Sequence, residues 1–235
     1  MSALADTIQL GIVTGLQKEA ACLRAGARRA RPHRPLIFAA AGRADAALEA
    51  GRRMVAEGAT GLVSFGIAGG LDPSLGPGVV VVADRIVDPD GRSLACHEPW
   101  VSRLLAAGHG FDAGPVLGSD EAVMAPARKA ALHRAHGCLA VDMESHAVAL
   151  AAAEAGLPFV AVRAIGDPAD RAIPKAALAG LAPDGRVRAL PVLAALLRRP
   201  RDLAGLMRVA RDTNAALASL RRVANLGLVR LLSEV

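Results

Sequence analysis

Aromatic side chains are nearly absent: the 235 residues hold no Tyr, one Trp and four Phe. A surface that stacks the bases of single-stranded nucleic acid needs several rings, so this composition argues against one. Cysteine is also scarce. Cys22, Cys96 and Cys138 form an odd, widely spaced set with no C-x-x-C, which argues against a disulfide framework or a structural zinc site and fits a reducing compartment. No apolar run reaches the roughly 18 residues of a membrane helix without a charge or a breaker. The opening Met1-Ser2-Ala3-Leu4-Ala5-Asp6 has no basic stretch ahead of an apolar one. A soluble cytoplasmic protein is expected.

What is present is an Ala-rich chain, 53% hydrophobic and 21% charged, with a mean hydropathy of +0.35, enough to bury a sizeable core. The net charge of +6 suggests nucleic acid until it is located. Residues 1–185 are close to neutral, whereas residues 186–235 carry ten Arg against Asp202, Asp212 and Glu234. The excess belongs to the last fifth of the chain. There, Leu203, Leu206, Met207, Ala210, Leu217 and Leu220 share one helical face, and Arg201, Arg208, Arg211 and Arg222 lie mostly on the other. A basic amphipathic helix over 201–224 is expected. It covers the sheet or a subunit contact, or lies on an anionic membrane surface; nucleic acid would need no such apolar face.

Earlier in the chain, short apolar runs alternate with helical patterns. Strands are read at 8–15, 35–41, 61–66, 78–87, 113–118, 138–143 and 158–165, and helices at 16–24, 44–58, 99–107, 126–135 and 145–155. Strands this apolar on both faces belong in a mixed, mostly parallel sheet covered on both sides, a three-layer α/β/α sandwich. Residues 1–172 are read as the catalytic domain and 173–235 as a helical extension packed on it.

Ligands of such sheets bind beyond the carboxyl ends of the strands. Those ends present Glu19, Asp142, Glu144, Asp167 and Asp170, beside a glycine turn Gly66-Ile67-Ala68-Gly69-Gly70 whose backbone N–H groups can approach a ligand. No Walker sequence or metal-ligand cluster accompanies them. His133-x-x-His136-x-Cys138 lacks a fourth partner, and Gly11-Ile12-Val13-Thr14-Gly15 lacks the third glycine of a dinucleotide-binding turn. A metal-free acid–base site follows, in which a carboxyl with a raised pKa protonates an electron-rich leaving group. Asp167, at an apolar strand end, suits that role. Glu144 either holds a ligand or caps a helix, and Asp142 either binds a ligand or pairs with Arg163.

Three motifs in order, Gly66-Ile67-Ala68-Gly69-Gly70-Leu71, Val141-Asp142-Met143-Glu144-Ser145 and Val162 to Asp170, resemble the purine nucleoside phosphorylases and methylthioadenosine/S-adenosylhomocysteine nucleosidases. Gly15-Leu16-Gln17-Lys18-Glu19 resembles that superfamily's first strand-to-helix turn. Within it, Val141 to His146 and the Arg-rich tail most resemble the hopanoid-associated phosphorylases, which implies cleavage of adenosylhopane, a lipid-linked nucleoside. The resemblance implies that Glu144 binds the ribose hydroxyls, Met143 packs on the ribose and Asp167 protonates the purine at N7. It also implies that Glu19 activates the nucleophile, that Asp142, Ala68, Gly69 and Ala122 contact substrate, and that Gly66, Ile67 and Arg43 surround water or phosphate. No cofactor beyond phosphate is implied, and a homo-oligomer is.

Two departures stand out. Ile67 replaces the family's small hydroxyl residue, and no aromatic falls near Ser119-Asp120-Glu121-Ala122, where the nucleosidases stack the base. The competing class is a non-catalytic nucleoside- or lipid-binding module at the membrane surface.

Overall fold

A computed structural model describes residues 9–27, 34–174, 177, 185–186 and 200–233. β1 (Leu10–Thr14) is buried throughout and leads through Gly15 and Leu16 into α1 (Gln17–Ala27). β2 (Leu36–Ala39) and β3 (Gly61–Gly70) flank β1, both parallel to it, and α2 (Ala44–Ala56) connects them. The apolar stripe of α2, Ala47, Ala50 and Met54, is buried, and Met54 packs beside Gly11 of β1. β4 (Val80–Val87), β5 (Ser93–Ala95), α3 (Glu98–Ala107), β6 (Asp112–Gly118), α4 (Pro126–His136), β7 (Ala140–Asp142), α5 (Ser145–Ala155) and β8 (Phe159–Asp167) follow.

The expected α/β architecture with a mixed sheet is observed, but the sheet is not simply open. β8 lies between β3, to which it is parallel, and β4, to which it is antiparallel. β4 continues through β6 to β7, and β7 then pairs antiparallel with the last residues of β3, Gly69 opposite Val141 and Gly70 opposite Ala140. Five strands therefore close a ring. The turn expected at residues 66–70 is in fact strand: β3 runs on to Gly70 with a register shift between Ala68 and Gly69. A bulge bends a strand and strengthens its twist, so the end of β3 can leave one neighbour's register and reach β7. β5 had no apolar run to announce it; it is a three-residue edge strand, mostly exposed.

After a short 3-10 turn at Pro200–Asp202 come α6 (Leu203–Asn225) and α7 (Leu228–Ser233). The amphipathic helix expected at 201–224 is present, with two unlike halves. Ala216, Leu217, Leu220, Val223 and Ala224 are buried against the sheet and α1, and Ser219 donates to the carbonyl of Gly78 at 2.6 Å. Leu203 and Met207, expected on the same apolar face, are 51% and 68% exposed. No helix among the described residues is long and apolar enough to cross a membrane.

Candidate active site

The ends of β1, β3, β7 and β8 and the loop after β6 surround one cleft of about 270 Å³. Its lining includes Gly15, Leu16, Glu19, Ile67, Ala68, Gly69, Glu121, Ala122, Val123, Asp142, Met143, Glu144, Asp167, Ile173 and Thr213. Nine of the expected site residues thus meet: Glu19, Ile67, Ala68, Gly69, Ala122, Asp142, Met143, Glu144 and Asp167. Gly66 lies behind the lining, and Arg43 lies outside it. Arg43 is exposed and its guanidinium pairs with Asp45 at 2.5 Å, so it is not placed to receive a ligand in this cleft.

Glu19, in the first turn of α1, is 2% exposed and accepts backbone N–H groups from Leu16 at 2.8 Å and Ile67 at 2.9 Å. Burial pushes its pKa up, against the opposing pull of those N–H groups and of Arg163. Gly66 is what lets the carboxylate reach the sheet: a Cβ there would sit 2.8 Å from Glu19 Oε2 and 2.7 Å from Arg163 Nη1. Any larger residue would displace one of the two charged groups. The substitution of Ile for a hydroxyl residue at position 67 removes a side-chain donor but leaves its N–H on Glu19.

Glu144 stands at the junction of β7 and α5, 5% exposed, as the N-cap residue of α5, yet its side chain makes no cap bond. Asp142 does that work. Its Oδ1 accepts the N–H groups of Glu144 and Ser145 at 2.8 and 2.7 Å, and its Oδ2 accepts the Ser145 hydroxyl and pairs with Arg163 Nε at 2.7 Å. The carboxylate expected to contact substrate is therefore committed to α5 and Arg163, and Asp142 supports Glu144 from behind. Gly15 faces Glu144 closely; a Cβ there would lie 2.6 Å from Oε1.

Arg163, fully buried on β8, also bonds the hydroxyls of Ser64 and Ser145 and approaches Glu144 Oε2 at 3.9 Å. Among the described residues its Nη1 has no hydrogen-bond partner. One guanidinium thus serves three buried carboxyls. Burial, together with the neighbouring Asp142 and Glu19 charges, pushes Glu144 up to about 8 although Arg163 opposes the rise.

Asp167 closes β8. Burial pushes its pKa up to about 6, a rise limited by Lys129, whose Nζ lies 2.5 Å from Oδ2. Among the described residues no group donates to Oδ1. A carboxyl with this proton affinity, an unclaimed oxygen and a place in an apolar cleft can hold a proton near neutrality and release it to a basic ring nitrogen.

The sequence offered one sign of Arg163, a lone cation inside an apolar strand, and none of Lys129, which reads as one more surface residue of α4. No aromatic residue lines the cleft among the described residues, as expected from the stretch 119–122.

The Phosphorylase superfamily profile matches residues 13–199. A futalosine hydrolase from Streptomyces coelicolor is 34% identical over 125 residues, 46% of this chain and 53% of that protein, so the chain spans about half the length of the curated relative it matches. The 5'-methylthioadenosine/S-adenosylhomocysteine nucleosidase of Neisseria meningitidis, in complex with methylthio-immucillin-A, superposes with a TM-score of 0.71 at 18% identity, covering 93% of this chain and 97% of that one. The S-adenosylhomocysteine nucleosidase of Streptococcus pyogenes, in complex with 5-methylthiotubericidin, gives 0.64 at 21%, covering 88% and 98%. At these identities the two structures speak to the fold, which is theirs almost end to end. The profile extends from β1, past all the carboxyl groups of the cleft, into the segment after β8, and the chain belongs to the phosphorylase superfamily.

Proposed function

We propose that the protein is a nucleosidase that cleaves the N-glycosidic bond of an adenosine-type nucleoside and releases adenine. The observation that carries this reading is the meeting of Asp167, Glu144 and Glu19 in one cleft. Breaking the C1′–N9 bond leaves positive charge on the sugar and an electron pair on the base. Asp167 gives its proton to N7, so the base departs neutral. Glu144 hydrogen-bonds the ribose hydroxyls and holds the sugar in place as it becomes cationic.

Water is the acceptor. No Lys or Arg lines the cleft among the described residues, and a phosphate dianion would meet five carboxyl residues there, Glu19, Glu121, Asp142, Glu144 and Asp167. A water held by Glu19, which lines the cleft, would be oriented as donor to its carboxylate. The attack at C1′ transfers the water's proton to Glu19.

For the 5′ side of the sugar the reading is a lipid-linked nucleoside of the adenosylhopane type. Its support is the Val141 to His146 sequence with the Arg-rich tail, and α6 itself: exposed Leu203 and Met207 stand among exposed Arg201, Arg208 and Arg211, while Thr213 of the same helix lines the cleft. An anionic membrane surface suits such a helix end. A futalosine-type nucleoside is the second reading, favoured by the 34% identity to futalosine hydrolase. The family resemblance also points to a homo-oligomer, measurable by light scattering.

The test is release of free base from adenosine, methylthioadenosine, adenosylhopane and futalosine, with and without phosphate. Release independent of phosphate and fastest from adenosylhopane is expected. Fastest release from futalosine selects the second reading, and no release from any of the four contradicts both.

A further inference from the structure

Lys129 is the one buried residue of α4, and it is charged. An ammonium withdrawn from water is costly unless its donors are satisfied and its charge is met. Here four oxygens surround Nζ: Asp167 Oδ2 at 2.5 Å and the carbonyls of Asp167, Pro168 and Arg171 at 3.0, 2.9 and 3.2 Å. All four come from the end of β8 and the turn after it. A helix that otherwise presents no buried side chain thus sends a cation into the base of the proposed proton donor. Neither helix propensity nor core packing requires a lysine there; an apolar residue would fill the space without the desolvation.

Building on the proposed reaction, we infer that Lys129 is a positioning residue: its ammonium fixes the Asp167 carboxyl and the 167–171 turn, and supplies the counter-charge that the carboxylate needs once its proton has gone to the base. In the step, the Asp167 O–H bond breaks, an N–H bond forms on the base, and the C1′–N9 electron pair passes into the ring. Lys129 keeps its own protons throughout. The groups facing Asp167 are few. Besides Lys129 on α4 there is Asp212 of α6, itself paired with Arg171, while Glu19 and Glu144 occupy the same cleft. Lys129 is the cation in direct contact. Without it, burial and the Asp212 charge would act on Asp167 unopposed, and its carboxyl would hold its proton to higher pH and release it less readily.

The experiment is the pH profile of base release in Lys129→Met and Lys129→Arg. In Lys129→Met the alkaline limb, set by Asp167 losing its proton, moves up by about one pH unit or more. Its kcat on the acid side of the limb falls about tenfold or more, with KM changed less than about threefold. Lys129→Arg, the variant to rely on if the Met form does not fold, keeps the limb within about 0.3 unit and loses less than about tenfold in kcat. A limb that stays put in Lys129→Met, or moves a full unit in Lys129→Arg, would overturn the inference. Carbon-13 titration of the Asp167 carboxyl gives the same answer without turnover: its midpoint rises in Lys129→Met, and an unmoved midpoint contradicts the role. Asp167→Asn separates the two levels, since undiminished turnover in that variant defeats the proposed reaction, whereas an unshifted limb with Asp167→Asn inactive defeats only the role of Lys129.

Discussion

Asp167 and Glu144 are both buried carboxyls, and their neighbours separate their tasks: Asp167 has one cation and a free oxygen, Glu144 shares one guanidinium with two other carboxyls. Replacing Asp167 with Asn keeps the shape and removes the transferable proton. Asp167→Asn is expected to lower kcat by about 10²- to 10⁴-fold while nucleoside binding, measured by calorimetry, changes little. Glu144 gives a test of electrostatics that needs no substrate. Its folded pKa of about 8 lies above the ordinary 4.5, so the native state holds a proton that the unfolded chain has lost. Its contribution to stability is fully present below about pH 4.5 and is lost as pH rises through about 8, so stability falls across that window. Asp167 adds a slope of the same sign between 3.8 and about 6. Glu144→Gln should flatten the fall of Tm between about pH 4.5 and about pH 8 and raise Tm at the alkaline end; an unchanged slope would show that Glu144 ionises freely. Gly15→Ala, which brings a methyl group to 2.6 Å from Glu144 Oε1, is expected to raise KM several-fold with the fold intact by circular dichroism.

Among the elements, α6 divides most clearly. Its second half packs on β8 and α1, so Leu220→Ala should cost about 2–4 kcal/mol in denaturant unfolding. In its first half, from Leu203 to Arg211, no residue is fully buried. Met207→Glu is therefore expected to leave Tm unchanged and to weaken sedimentation with anionic lipid vesicles; equal binding of wild type and variant would argue against a membrane role for this helix end. The apolar periodicity at 201–224 was readable because Leu and Arg repeat at helical spacing. That the stripe changes partners at Asp212 was not readable, because burial depends on where β8 ends, not on the helix. The other elements were legible for similar reasons: α5 begins and ends at the expected Ser145 and Ala155, between its capping Asp142 and Gly156 in the left-handed conformation. The end of β3 misled, since Gly66, Gly69 and Gly70 read as a turn. Glycine there serves close approach to Glu19, Arg163 and Asp167 within a strand.

At the scale of the molecule, the closing of β3 onto β7 is what assembles the site. Ile67 of β3 donates its N–H to Glu19, and the last residues of the same strand, Gly69 and Gly70, pair with Val141 and Ala140, just before Met143 and Glu144. The carboxyl residues of the cleft were legible singly because each stands at a strand end, and together because their motifs recur in one family. Of their supports, the pairing of Asp142 with Arg163 was one of two readings the sequence offered. Lys129 was not legible, because it meets Asp167 across 38 residues and no local pattern encodes such a contact. The central claim is that the Asp167 proton drives departure of the base. Its most direct measurement is single-turnover release of adenine in phosphate-free buffer, wild type against Asp167→Asn, across pH. Release by the wild type that declines above about pH 6, with a variant that binds nucleoside and holds it intact, is the predicted result. Equal rates in the two proteins at every pH would contradict it.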